Sequence, residues 1–152
     1  MQFSLLQPFP NSASKTLSAY LKKILGFSPR NPGYYEIAFI HKSASLNHSD
    51  GSVINNERLE YLGDAILDAV VSDILFTLFP GRDEGFLTRM RSRIVSREKL
   101  NELALKLGVD QLIVSQTGSN QRIKNMPGNA MEALIGAIYL DRGYYKTKRF
   151  IT

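Results

Sequence analysis

Three acidic side chains follow one another in the sequence at a spacing that places them on one side of a helix. Glu57, Glu60 and Asp64 occupy positions i, i+3 and i+7 of the segment Asn55–Pro80, NNERLEYLGDAILDAVVSDILFTLFP. At about 100° per residue, these positions share one stripe of a helix. Carboxylates held close together repel one another, and a divalent metal ion would remove that repulsion. A simpler alternative is that Glu57 and Glu60 only favour the positive end of the helix dipole.

A further carboxylate lies in a second segment that is almost wholly apolar. The segment Asn129–Asp141, NAMEALIGAIYLD, is typical of a buried helix, yet Glu132 lies near its start. Asn129 and Glu132 are at positions i and i+3, so their side chains point the same way. A buried carboxylate needs a partner. For Glu132 this partner is an arginine, the dipole of its own helix, or a metal ion shared with Glu60 and Asp64.

The first acidic group requires a long helix to position it. Two asparagines offer an N-cap and Pro80-Gly81 ends the run, so the pattern predicts a single helix over Asn55–Pro80. Helical spacing predicts that the core-facing residues of this helix are Leu59, Leu62, Ile66, Val70 and Ile74.

Shorter helices and polar loops account for the rest of the chain. Helical spacing and capping residues predict helices over Lys15–Leu25, Tyr34–Ser45, a segment capped by Asp83, and Lys99–Leu107 with Gly108 as its C-cap. The inner face of the helix after Asp83 is predicted to comprise Leu87, Met90 and Ile94. The predicted loops are Leu46–Ile54 and Ser115–Gly128. Since no alternating strand pattern of convincing length occurs, we expect an all-α domain.

Composition narrows the class of protein. The 152 residues suffice for one domain with a proper core, and 43% hydrophobic and 22% charged residues are ordinary for a globular protein. The absence of cysteine excludes disulfides and thiolate metal sites. The start, MQFSLLQPFP, lacks the features of a secretory signal, and no apolar run is long enough for a membrane span. We therefore expect a cytoplasmic protein with no membrane partner.

Basic residues exceed acidic ones and form a pattern of their own. The net charge of +5 is compatible with a polyanionic partner. Arg89, Arg93 and Arg97 occupy positions i, i+4 and i+8, and Arg122 and Lys124 lie in a predicted loop. Most such stripes are solvated surface. The more specific interpretation is a row of contacts to nucleic-acid phosphates.

Four segments, in this order, resemble the ribonuclease III family. ERLEYLGDAIL at Glu57–Leu67 closely resembles the family signature, and FIHKSAS at Phe39–Ser45 resembles the segment before it. DEGFLTRMRSRIV at Asp83–Val95 resembles the stretch after the signature. AMEALIGAIYLD at Ala130–Asp141 resembles the last catalytic helix of the family. Together these matches place about Ser18–Ile151 in the order of the family.

This resemblance implies an all-helical, homodimeric endonuclease domain that cleaves double-stranded RNA with Mg²⁺, or with Mn²⁺ in its place. It implies 5′-phosphate and 3′-hydroxyl products and a role in ribosomal and other RNA processing. The positions that match the four metal-holding residues of the family are Glu60, Asp64, Asn129 and Glu132. We expect Glu60 and Glu132 to be direct ligands, and Asp64 to bind the metal or orient the attacking water; Asp64 and Glu132 are the candidate catalytic residues.

Other positions match residues with supporting roles in the family. Glu57 and Glu84 match accessory acidic positions. Tyr61 takes the place of an aromatic residue, usually phenylalanine, that inserts into the partner subunit. The loosely patterned start with its prolines predicts a lead-in over residues 1–14, and we expect the catalytic domain over residues 15–152.

Two features depart from the family pattern. Position 129 is asparagine where the family usually has aspartate, so one negative charge is missing around the metal. This residue is natural in a subgroup, engineered or inactivating, and we expect a natural variant that retains activity at higher Mg²⁺. The chain also lacks the separate double-stranded-RNA-binding domain of many members, so we expect an excised nuclease domain or one of the smaller members.

Two rival functions remain open from the sequence. The first is a non-catalytic RNA-binding or ribosome-associated relative on the same fold, which Asn129 favours and the five retained acidic residues oppose. The second is a dimerisation module unrelated to RNA, which would leave the basic stripe unexplained. Incubation with duplex RNA in Mg²⁺ or EDTA would distinguish an enzyme from a binding protein.

Overall fold

The computed structural model describes residues 11–116 and 125–152, with side chains described from residue 16 onward. The α-helices of this part are α1 (Asn11–Leu25), α2 (Pro32–Ala38), α3 (Glu57–Leu78), α4 (Glu84–Ile94), α5 (Arg97–Leu107) and α6 (Met126–Ile151). A short antiparallel hairpin joins β1 (Leu46–Asn47) to β2 (Val53–Ile54). Helices α3 and α6 form the central pair, against which the other helices pack.

Capping residues mark where helices α3 and α4 begin and where α5 ends. The Asn55 side-chain oxygen accepts a hydrogen bond from the Glu57 backbone N–H at 3.0 Å, so α3 is capped by Asn55 and not by its neighbour Asn56. The Asp83 carboxylate accepts from the Phe86 N–H at 2.7 Å, as predicted for α4. Gly108 ends α5 with a positive φ of 71°, a conformation that favours glycine.

Helices α3 and α6 approach each other closely through two glycines. A Cβ atom built on Gly63 would lie 1.7 Å from the Glu132 carbonyl oxygen, and one on Gly136 would lie 2.4 Å from the Leu59 carbonyl oxygen. Neither distance is compatible with a side chain, so only glycine permits this crossing. The crossing point is also the turn of α6 that contains Glu132. The acidic stripe of α3 is therefore held beside it by backbone contact.

The core stripe of α3 differs from the predicted one. Leu59 and Val70 are buried as predicted, but Leu62, Ile66 and Ile74 are only partly buried. The buried positions of α3 are Leu59, Gly63, Leu67, Val70, Val71 and Leu75. The helix is rotated relative to the prediction because its tightest contact with α6 is made by a glycine. A count of apolar side chains gives that position no weight.

Several element boundaries also differ from the prediction. The helix predicted over Tyr34–Ser45 ends at Ala38, because the next residues form a bridge between Ile40 and Val114 and then a 3₁₀ turn. The loop predicted over Leu46–Ile54 contains the β1–β2 hairpin. Even so, the all-α class is confirmed at the level of the domain. No helix in the described part of the chain is long and apolar enough to cross a membrane.

The predicted basic stripe is interrupted. Helix α4 ends at Ile94 and α5 begins at Arg97, so Arg89 and Arg93 lie on one helix and Arg97 on the next. Ser96 caps α5, because its side-chain oxygen accepts a hydrogen bond from the Lys99 N–H at 3.4 Å. The predicted start of this helix, Lys99, is therefore two residues too late. Treating Arg89, Arg93 and Arg97 as one helical stripe was therefore wrong.

The inner face of α4 is also shallower than predicted. No residue of this helix is fully buried, although Leu87 and Met90 pack partly against the core. Ile94, the third predicted residue, is 44% exposed. Because Ile94 is the last residue of α4, no following turn of that helix shields its side chain from solvent.

We expect Gly63→Ala to destabilise the protein by about 2 kcal/mol or more, because the new Cβ forces α3 and α6 apart. This loss would exceed the gain of up to about 1 kcal/mol that alanine brings to a helix. Urea unfolding followed by circular dichroism measures the difference. Gly81→Ala is the matched control, since a Cβ there meets nothing within 4 Å. Equal midpoints for the two variants would contradict the role given to the helix crossing.

Candidate active site

A pocket of about 370 Å³ opens where α3, α6 and the start of α5 meet. Its walls combine four acidic side chains with six side chains that can donate hydrogen bonds. The residues that line it are His41, Lys42, Asn56, Glu57, Glu60, Tyr61, Asp64, Arg97, Asn129 and Glu132. The two acidic groups separated in the sequence thus share one pocket, because the glycine crossing brings their helices together.

Not every predicted site residue lies in this pocket. Glu84, predicted as an accessory acidic residue, is exposed at the start of α4 and accepts a hydrogen bond from the Thr88 hydroxyl at 2.7 Å. Arg89 and Arg93 are exposed on α4 and do not line the pocket. Arg122 and Lys124 lie outside the residues that the structure describes.

Burial dominates the electrostatics of the two innermost carboxylates. Glu132 is 5% exposed, and this burial raises its pKa from 4.5 to about 7, an effect that Arg97 partly opposes. Burial also raises the pKa of Glu60; Arg97 opposes this rise as well, and Glu57 adds to it. The pocket therefore holds negative charge that the protein does not fully neutralise. Such a site favours a cation.

The sequence did not predict that Arg97 lies in this pocket. Its guanidinium donates a hydrogen bond to the Asn129 side-chain oxygen, and its Nη1 lies 4.0 Å from Glu132 Oε2. Arg97 is also the first residue of α5, where the helix dipole disfavours a positive charge. A basic residue directly after an N-cap serine was a signal that this arginine has a specific partner elsewhere.

Two further pocket residues were also not predicted as part of a site. His41 is buried, and its Nδ1 accepts a hydrogen bond from the Ser43 N–H at 3.2 Å, so the ring is packed and capping. Because Nδ1 accepts this bond, the proton of the neutral ring lies on Nε2. Burial lowers the pKa of His41 below its usual value. Asn56 is 2% exposed, and its Nδ2 has no hydrogen-bond partner among the residues that the structure describes. Both residues therefore bring hydrogen-bond donors to an acidic pocket.

The donor set of the pocket fits a hard divalent cation. Carboxylate and amide oxygens are the ligands that Mg²⁺ prefers. In the arrangement of side chains seen across residues 16–116 and 125–152, however, no three His, Cys, Asp or Glu side chains are gathered closely enough to hold an ion. Glu60 is half-buried and Asp64 exposed, so both have room to rotate toward Glu132. Shared coordination requires that rotation.

An all-helical domain with an acidic pocket at the crossing of two helices defines the class of this protein, and comparison with known proteins identifies the family. A family model described as Ribonuclease-III-like matches residues 31–152, and the chain belongs to this family. Ribonuclease 3 of Bacteroides fragilis is 56% identical over 129 residues, which are 85% of this chain and 44% of that protein. Ribonuclease 3 of Bacteroides thetaiotaomicron is 54% identical over 129 residues, 85% of this chain and 42% of that protein.

A solved structure supports the same assignment at the level of the fold. The nuclease domain of ribonuclease III from Campylobacter jejuni has a TM-score of 0.76 and 30% identity, covering 86% of this chain and 90% of that one. The family resemblance drawn from the four sequence segments is thereby confirmed. The chain spans less than half the length of the two Bacteroides relatives, so the match concerns a nuclease domain and not their remaining parts.

We expect Glu132→Gln to stabilise the metal-free protein at alkaline pH. Between pH 4.5 and about 7 the folded chain retains a proton on Glu132 that the unfolded chain releases, so stability falls as the pH rises. The variant lacks this loss and should gain up to about 3 kcal/mol over the wild type at pH 8, with little difference near pH 4.5.

Urea unfolding in EDTA at several pH values measures this effect. His41 titrates in both proteins, so its contribution cancels in the difference. Glu102→Gln is the control, because Glu102 is an exposed carboxylate paired with Lys99 and has a lowered pKa. Parallel pH profiles for wild type and Glu132→Gln would show that Glu132 is not the group whose burial opposes ionisation.

Proposed function

We propose that this chain is the catalytic domain of a Mg²⁺-dependent endoribonuclease that cleaves double-stranded RNA to 5′-phosphate and 3′-hydroxyl ends. The observation that supports it most strongly is the single pocket shared by Glu60, Asp64, Asn129 and Glu132. Membership of the ribonuclease III family is the reason for proposing this particular reaction. Bound Mg²⁺, or Mn²⁺ in its place, would supply a water deprotonated near neutral pH and neutralise charge on the phosphate.

The residues of the pocket have distinct roles in this proposal. Glu60 and Glu132 would hold the metal as direct ligands, and Asn129 would add a neutral amide oxygen. Asp64 would bind the metal or orient the attacking water. Glu57, at the exposed edge of the pocket and 3.9 Å from Lys42, adds negative charge near the entrance. Burial of Glu132 keeps bulk water from screening the charges that act on the phosphate.

Contacts with the RNA backbone would come from exposed basic residues. Arg89 and Arg93 on α4 are exposed, and we propose that they contact phosphates. Arg122 and Lys124 are proposed for the same role from the sequence alone. Arg97 faces the pocket, so its contact with RNA would occur at the site of cleavage. An A-form duplex offers mainly its shape, phosphates and 2′-hydroxyls, so little sequence preference is expected.

The substrates we propose are duplex stretches of ribosomal RNA precursors and other transcripts, including messenger RNA, in the cytoplasm. Family membership is the reason for this proposal. We also propose that the domain acts as a homodimer, with one strand of the duplex cut by each subunit. The Campylobacter jejuni nuclease domain is described for flexibility in a region involved in its dimer formation.

Tyr61 is the residue we propose for the dimer contact. Its side chain is 82% exposed at the edge of the pocket, which is unusual for a large aromatic group. We expect Tyr61→Ala to raise the dimer dissociation constant by at least about tenfold, because buried aromatic anchors dominate interface energies. Analytical ultracentrifugation measures the constant. Tyr145→Ala removes an equally exposed tyrosine, 87% accessible, and should leave the dimer intact. Equal effects of both changes would exclude Tyr61 as the anchor.

We expect the protein to cut long duplex RNA into short fragments with Mg²⁺ and not with EDTA. Glu132→Gln should reduce the rate by about a hundredfold or more, since metal-based charge stabilisation is worth several kcal/mol. Gel electrophoresis of labelled RNA follows cleavage, and enzymatic labelling identifies the ends. Glu102→Gln, on the exposed face of α5, should cleave at the wild-type rate.

The same assay tests the principal alternative. The neutral Asn129 in the pocket favours a non-catalytic RNA-binding or ribosome-associated relative. Such a protein would retain duplex RNA in a gel-shift experiment at every Mg²⁺ concentration without cutting it. That result would replace the nuclease proposal with the binding one.

A further inference from the structure

Arg97 contacts two of the residues proposed as metal ligands. Its guanidinium donates to Asn129 Oδ1, and its Nη1 lies 4.0 Å from Glu132 Oε2. The positive charge that a buried carboxylate requires is therefore supplied by a side chain of the protein itself.

A guanidinium and a divalent cation would compete for the position beside the side-chain oxygens of Asn129 and Glu132. Both would lie within a few ångströms of the same oxygens, and two like charges at that distance repel each other. Asn129 accepts a hydrogen bond from Arg97 but contributes no negative charge to offset this repulsion. About half of the Arg97 side chain is exposed, so solvent is open to it if it leaves.

We propose that Arg97 occupies the position of a divalent cation at this site and must turn away from Asn129 and Glu132 before metal binds. This inference rests on the proposed function, because it takes these residues to be the metal site. Arg97 is thus a positioning residue that sets the affinity for metal. It keeps Glu132 partnered in the absence of metal and raises the Mg²⁺ concentration that the site requires.

The inference changes what is expected of position 129. An aspartate there would meet the Arg97 guanidinium and form an ion pair with it. The guanidinium would then largely neutralise the added negative charge, so that this charge would favour metal binding only slightly. Asn129→Asp should therefore strengthen metal binding only weakly when Arg97 is present, and strongly when it is absent. Position 129 and Arg97 are coupled in this way.

A double-mutant cycle tests the coupling without RNA or catalysis. Wild type, Arg97→Gln, Asn129→Asp and the double variant are titrated with MgCl₂ and MnCl₂ by isothermal titration calorimetry at pH 8.5. We expect Arg97→Gln to bind Mg²⁺ about tenfold more tightly than wild type. The gain from Asn129→Asp should be at least about threefold larger in the Arg97→Gln background than in the wild type.

Matched variants distinguish a local effect from general charge or folding. Arg149→Gln removes the same charge from the other end of α6 and should bind Mg²⁺ as wild type does. Arg97→Lys retains the charge and should remain closer to wild type than Arg97→Gln. Circular dichroism confirms that each variant is folded before its titration.

The outcomes separate this inference from the proposed function. If wild type binds Mg²⁺ and Glu132→Gln does not, the metal site stands. If Arg97→Gln then binds no more tightly than wild type, or if the two changes are additive, the competition by Arg97 is wrong while the site remains. If no protein of the set binds metal, the proposed function fails and this inference fails with it.

Discussion

The contact between Gly63 and Gly136 at the crossing of α3 and α6 is the constraint on which the site depends. The backbone of each helix lies where the Cβ of the other would be. This approach fixes the rotation of both helices, because only the faces with glycine fit together so closely. Rotation in turn determines which side chains reach the pocket. The acidic residues of α3 that line the pocket face Glu132 of α6 because the glycines of the two helices meet.

This geometry creates an electrostatic problem that the protein solves only in part. Glu132 lies on the turn that contacts Gly63, so it cannot be both close to α3 and fully exposed. Its burial raises its pKa to about 7, which indicates that the folded chain partly resists its ionisation. A core built only for stability would place an apolar residue there. The retained carboxylate is therefore evidence of a function that uses its charge.

The sequence contained enough information to predict the acidic groups, the fold class and the caps at Asn55, Asp83 and Gly108, because these depend on local spacing and on composition. It did not reveal the cap at Ser96. It did not reveal the rotation of α3, since the residue that decides it, Gly63, has no side chain to count. It also did not reveal Arg97 as a pocket residue. Two residues before Arg97 the chain leaves helix α4, and a continuous helical stripe hid that break. The serine before Arg97 was a local signal, but local spacing does not identify the partner in a contact between distant segments, such as Arg97 with Asn129.

The choice of an arginine as the partner of Glu132 has a physical consequence for how the site works. A fixed partner, such as a buried hydrogen-bond network, would stabilise the carboxylate but also prevent it from accepting a cation. Arg97 is the first residue of α5, and its long side chain is about half exposed. The dipole of α5 disfavours a positive charge at this end of the helix. The contacts of Arg97 with Asn129 and Glu132 are made by a side chain that solvent also reaches. A pocket that must exchange one cation for another requires a partner of this kind.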